Sequence, residues 1–93
     1  MFDIERTNQF KKDFKLIVKR KYDIRKIETL FELLITGKKL PNKYSEHPLK
    51  GNYIGALDCH IEPDWIVIFK RNKTKKLITL IRTGTHSDIF KQK

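Results

Sequence analysis

Asp64-Trp65-Ile66-Val67-Ile68-Phe69 is the most β-prone stretch of this chain. β-Branched and aromatic side chains dominate it, and strand alternation separates Asp64, Ile66 and Ile68 from Trp65, Val67 and Phe69. On its N-terminal side, Asn52 to Ile61 alternates after Gly51, and Glu62-Pro63 interrupts pairing where a hairpin turn would begin. That alternation places Ile54, Ala56, Asp58 and His60 on one side and Tyr53, Leu57 and Cys59 on the other. The turn is expected to hold His60 and Asp64 near one another. On the C-terminal side, Asn72-Lys73-Thr74 reads as a polar turn. Lys76 to Arg82 then forms a last strand, apolar on both faces as in a sheet's centre, with Arg82 on the face of Ile78 and Leu80. Gly84 breaks it, and Ser87 to Phe90 forms a final turn.

Farther out, Phe2 to Arg6 alternates apolar and charged residues and suits a short strand. Thr7 is placed to cap a helix in which Phe10, Phe14, Ile17 and Val18 form one apolar stripe among lysines. Asp23 caps a second helix with Ile24, Ile27, Phe31, Leu34 and Ile35 on one face, and Gly37 ends it in the left-handed conformation. Lys38 to Gly51 has no sustained period and is assigned as a loop carrying His47. The order β-α-α-β-β-β predicts an α+β fold: one domain over residues 1–93, a helical hairpin packed on one face of a small, mostly antiparallel sheet. The other face, or the sheet's end, stays open.

The chain carries 21 Lys and Arg against 11 Asp and Glu, a formal net charge of +10. A polyanion is the natural partner of such a surface, and nucleic acid fits because cationic side chains displace condensed counterions from phosphates. An acidic protein would be drawn by the same field. The 39% hydrophobic content is enough for one thin core and argues against disorder. The single cysteine, Cys59, excludes an intrachain disulfide and a Cys-rich zinc site. No apolar run approaches the ~18 residues that span a bilayer, and no secretory h-region follows Met1, so the expected compartment is the cytoplasm, with no membrane partner.

The chain's three histidines lie in its C-terminal half, in Glu46-His47-Pro48, Asp58-Cys59-His60 and Arg82-Thr83-Gly84-Thr85-His86. Imidazole, with an unperturbed pKa of about 6.5, both gives and takes protons near neutrality. RNA brings its own nucleophile, the 2′-hydroxyl. Cleavage then requires a base for that proton, an acid for the departing 5′ oxygen and a cation beside the phosphate, with no metal or other cofactor. Two or three His, one Asp and one Arg supply those roles, and Trp65 or Phe90 would stack on a base. Plainer readings stand beside these. Each His also reads as a surface or hydrogen-bonded residue, Trp65 as core, and Arg82 as the partner of a carboxylate. A His-rich metal site is disfavoured because the spacing matches no compact ligand motif.

His47-Pro48-Leu49-Lys50-Gly51, Cys59-His60-Ile61-Glu62-Pro63-Asp64-Trp65 and Arg82-Thr83-Gly84-Thr85-His86-Ser87-Asp88-Ile89-Phe90, with Gln9-Phe10-Lys11-Lys12-Asp13 and Pro41, resemble YafQ-type toxins of the RelE superfamily. The resemblance runs nearly end to end. It implies a microbial ribonuclease-like (RelE-like) fold and the toxin of a bacterial type II toxin-antitoxin system, which cuts messenger RNA in the ribosomal A site without metal. It further implies a cognate antitoxin, often of the ribbon-helix-helix type, and contact with operator DNA only through the antitoxin complex. By motif, His47, His60, Asp64 and His86 would be the acid–base set, with His86 as general acid and His47 or Asp64 assisting base action. Arg82 would be the phosphate-stabilising cation, and Trp65 and Phe90 would support the RNA or the site. An Arg82→Ala variant is expected to keep its fold and lose cleavage. Similar toxins often carry an aromatic residue and an Arg shortly before Asp-x-His, where this chain has Ala56-Leu57. Lys50 and Lys70 are the cations expected to substitute.

Overall fold

Thr7 separates two elements by supplying what each end lacks. Its backbone N–H bonds Leu80 O after strand β1 (Asp3–Arg6), while its hydroxyl accepts from Phe10 N to cap helix α1 (Asn8–Lys19). Asp23 does the same for α2 (Ile24–Leu34), accepting from Arg25 N. Gly37 follows with φ +74°, and a Cβ there would lie 2.2 Å from the Phe2 ring, so only glycine lets α2 end against β1. The computed structural model describes residues 1–90.

Four strands follow: β2 (His47–Pro48), β3 (Leu57–Glu62), β4 (Trp65–Asn72) and β5 (Leu77–Gly84), and then the short helix α3 (His86–Ile89). The sheet order is β1-β5-β4-β3-β2, with β1 parallel to β5 and every other pair antiparallel. The predicted α+β arrangement and mostly antiparallel sheet are present. β2 lies inside the stretch read as a loop, because two residues are too few to show a period. β3 begins at Leu57 rather than Asn52, since Gly51–Tyr53 forms a 3-10 turn.

One sheet face buries Cys59, Trp65, Val67, Phe69, Ile78 and Leu80 against Phe10 and Ile17 of α1 and Ile27, Leu30 and Leu34 of α2. Val18, assigned to the α1 stripe, is 49% exposed. Asp13 takes an inward position instead, three residues after Phe10 and four before Ile17. The opposite face carries a smaller cluster of Ala56, Ile66, Ile68 and Ile89, edged by Leu49, Tyr53, Ile81 and Phe90. That second cluster is the floor on which polar side chains gather. No helix among the described residues is long and apolar enough to cross a membrane.

Candidate active site

Register sets the first part of the site. His47 pairs directly with Asp58, placing its Nε2 3.0 Å from Asp58 Oδ1, while its Nδ1 lies 2.9 Å from Ser45 O. A carbonyl only accepts, so Nδ1 carries a proton. Asp58 is 3% exposed, and burial pushes its carboxyl above the usual range although the three surrounding imidazoles favour its charged form. Asp58 Oδ1 is itself buried and completes no hydrogen bond among the described residues.

Two residues along β3, on the same face, His60 stands between the other imidazoles. Its ring centroid is 6.2 Å from that of His47 and 5.5 Å from that of His86. His60 Nε2 is buried with no hydrogen-bond partner among the described residues. The flanking rings are open, with His47 53% and His86 47% exposed in their side chains.

His86 is the first residue of α3. Thr85 caps that helix by accepting from Asp88 N, and its own backbone N–H donates to the Asp88 carboxylate, closing a capping box. Asp88 is also gripped by Arg20, the residue that caps the C-terminus of α1, at 2.7 and 3.2 Å, which holds its carboxyl well below the ordinary range. Asp64, on the β3–β4 turn, accepts from the backbone N–H of His86 at 2.9 Å and faces its Nδ1 at 2.6 Å. Those two contacts lower the Asp64 carboxyl, the backbone bond foremost. They fix the proton on Nδ1 and leave Nε2 for chemistry.

Arg82 corrects the face expected from simple alternation. A bulge between Leu80 and Arg82 leaves Ile81 as an extra residue, so Arg82 pairs with Ile68 on the site face, opposite Ile78 and Leu80. Its Nε and Nη2 meet Asp13 at 2.7 and 3.2 Å, and Nη1 lies 3.4 Å from the Tyr53 hydroxyl. Asp13 also accepts from Thr83 N, holding α1 on β5.

The expected substrate role of Trp65 is corrected outright. Its side chain is 1% exposed on the helix side, edge-on to Tyr22 at 4.9 Å, with its indole N–H bonded to the Thr83 hydroxyl. Alternation from Ile66 dictates this, because the floor residue must face the opposite way. Phe90 does reach the site, tilted on His86 at 6.3 Å and edge-on to Tyr53 at 5.9 Å. Lys70 is exposed two residues beyond Ile68 on the site face, and Lys50 is exposed after β2. Ala56 is floor, so nothing from its position reaches out.

Asp58, Asp13 and Tyr53 were not among the sequence candidates. Asp58 was legible through its shared face with His60, and Asp13 as an acid placed between Phe10 and Ile17 on the buried side of a basic helix. Nothing local marked Tyr53, whose 3-10 turn breaks the alternation.

The sequence model of one family, described as bacterial toxin of type II toxin-antitoxin system, YafQ, matches residues 2–91. The chain is 47% identical over 89 residues to the mRNA interferase toxin YafQ of Escherichia coli strain K12, covering 95% of each chain. It is 31% identical over 67 residues to a putative toxin YafQ of Haemophilus influenzae, covering 69% of this chain and 66% of that one. Among solved structures it resembles YafQ from E. coli BL21(DE3), with TM-score 0.88, 44% identity and coverage of 97% and 99%. It also resembles a chain of the E. coli DinJ-YafQ complex, with TM-score 0.87, 45% identity and the same coverage. With three imidazoles meeting above the sheet and a match along nearly its whole length, this chain belongs to the YafQ family of bacterial toxins of type II toxin-antitoxin systems.

Proposed function

We propose that the chain is an mRNA interferase, a metal-independent endoribonuclease that cuts messenger RNA in the ribosomal A site and is held inactive by a cognate antitoxin. The observation that carries this reading is the row of His47, His60 and His86 rings with a carboxylate at each end, Asp58 behind His47 and Asp64 behind His86. The RNA 2′-oxygen attacks phosphorus while the bond to the 5′ oxygen breaks, leaving a cyclic phosphate. His86, its Nδ1–H held by Asp64, delivers a proton from Nε2 to the departing oxygen. His47, its Nδ1–H held by Ser45 O, receives the 2′-hydroxyl proton at Nε2 beside Asp58, and His60 stands between the two outer rings. Arg82 offers positive charge to the phosphate, and Phe90 supports the bases. Asp64 thus serves the acid side.

The antitoxin is proposed to be of the ribbon-helix-helix type, with operator DNA reached only through the complex. A relative crystallised with DinJ supports a protein partner.

Primer extension on a translated message, with and without ribosomes, tests the reading. Discrete new 5′ ends are expected with ribosomes, persisting in EDTA and disappearing in His86→Ala. Inhibition of translation without breaks would make the chain a basic RNA- or ribosome-binding blocker instead, and loss of cutting in EDTA would replace the imidazole mechanism with a metal-dependent one.

A further inference from the structure

β2 pairs only with Leu57 and Asp58, so the outer edge of β3 from Cys59 onward has no strand beside it among the described residues. A groove runs along that edge. One hollow of about 380 Å³ is lined by Lys26 and Thr29 of α2, Lys43 and Tyr44 of the 3-10 turn Asn42–Tyr44, and His60 and Ile61. A second of about 260 Å³ continues it past Ser45, Glu62 and Pro63, sharing Lys43, His60 and Ile61. His60 therefore belongs both to the row of imidazoles and to the groove.

We propose that this groove is a nucleotide subsite, which takes the RNA residue flanking the scissile linkage. The inference rests on the nuclease reading above and extends it to substrate positioning. Lys26 and Lys43 supply charge for a phosphate, and Ile61 offers an apolar wall to a base. The β3 backbone beyond Asp58, which no strand pairs on that side among the described residues, offers hydrogen-bonding groups that read a base edge. Glu62 now occupies Lys26 at 2.7 Å, but both side chains are close to half exposed, so the pair yields readily to a phosphate. Lys43 Nζ rests 5.4 Å over the Tyr44 ring, on the rim and within reach of an incoming strand. An extended acidic peptide would also suit a free strand edge, but the groove's continuity with the imidazoles favours the RNA.

The test uses the full chain and two probes without a nucleophile, a dinucleotide and a trinucleotide bearing 2′-O-methyl riboses, titrated by amide NMR. The trinucleotide should bind roughly tenfold more tightly, as one charge-assisted phosphate contact provides. It should shift the Thr29, Lys43 and Ile61 amides, and the double variant K26Q/K43Q should remove the advantage without altering the unligated spectrum elsewhere. Equal affinity of the two probes with those amides unmoved would overturn the subsite, as would an acidic peptide shifting them where RNA does not. Trinucleotide binding in the groove by a protein that leaves translated message uncut would sink the nuclease reading and spare the subsite. Cutting with an empty groove would do the reverse.

Discussion

One oxygen of Asp64 meets both the backbone N–H and the Nδ1 of His86, so a single carboxylate positions the ring and selects its tautomer. Asp64→Asn should keep the fold and lower cleavage tenfold or more, short of the loss in His86→Ala, within the roughly 10²–10⁴-fold typical of acid–base catalysis. Single-turnover cleavage rates measure this, and an Asn variant as fast as the parent would remove Asp64 from the mechanism. Arg82 presents a different problem, because it sits against Asp13, which is 9% exposed. The expectation that Arg82→Ala leaves the fold untouched is therefore revised. Truncation strands a buried carboxylate, at a cost of about 3 kcal/mol. Asp13→Asn with Arg82→Gln should recover most of that stability in urea melts while cleavage stays low. Recovery of both would make the arginine purely structural.

At the scale of elements, the segments bearing the outer histidines are each pinned by an ion pair. Arg20, at the C-terminal cap of α1, holds α3 through Asp88. Arg71 of β4 holds the segment before β2 through Glu46, at 2.8 and 3.0 Å, with both side chains under a tenth exposed. Glu46 accepts from Leu40 N as well, and Arg71 donates to Lys38 O, so the stretch from 38 to 46 is closed onto the sheet immediately before His47. Arg71→Ala should cost about 3–5 kcal/mol, the range for removing one partner of a buried pair. Burial alone would raise the Glu46 carboxyl, but the Arg71 guanidinium and the Leu40 amide together bring it below its ordinary value. A depressed folded pKa gives stability that is full above the unfolded value of about 4.3 and is lost as pH falls through the folded one. Denaturant midpoints of the parent should therefore drop on acidification below that point, and the drop should be smaller in Arg71→Ala. Parallel pH curves for the two proteins would contradict the assignment.

For the whole molecule, a net charge of +10 on 93 residues predicts RNA affinity that falls linearly on a log–log plot against salt. The slope should be roughly −0.7 for every phosphate neutralised on a single strand. Affinity flat in salt, by fluorescence anisotropy with a short unstructured RNA, would reduce the charge to a solubility feature. Periodicity and capping residues decided most of the elements before any coordinates: Thr7 and Asp23 cap where expected, and Trp65 to Phe69 alternates as read. These are local effects of backbone hydrogen bonding and side-chain period, which neighbouring residues determine by themselves. Composition decided the sign of the surface, and three histidine-bearing motifs decided which residues to watch. Tertiary structure alone decided the rest. The bulge at Ile81 turned Arg82 to the other face, β2 formed only because β3 offered it an edge, and Trp65 went inward because Ile66 and Ile68 were needed as floor. Each of these depends on contacts between residues far apart in sequence, where a partner's register sets the outcome and no short window contains the partner.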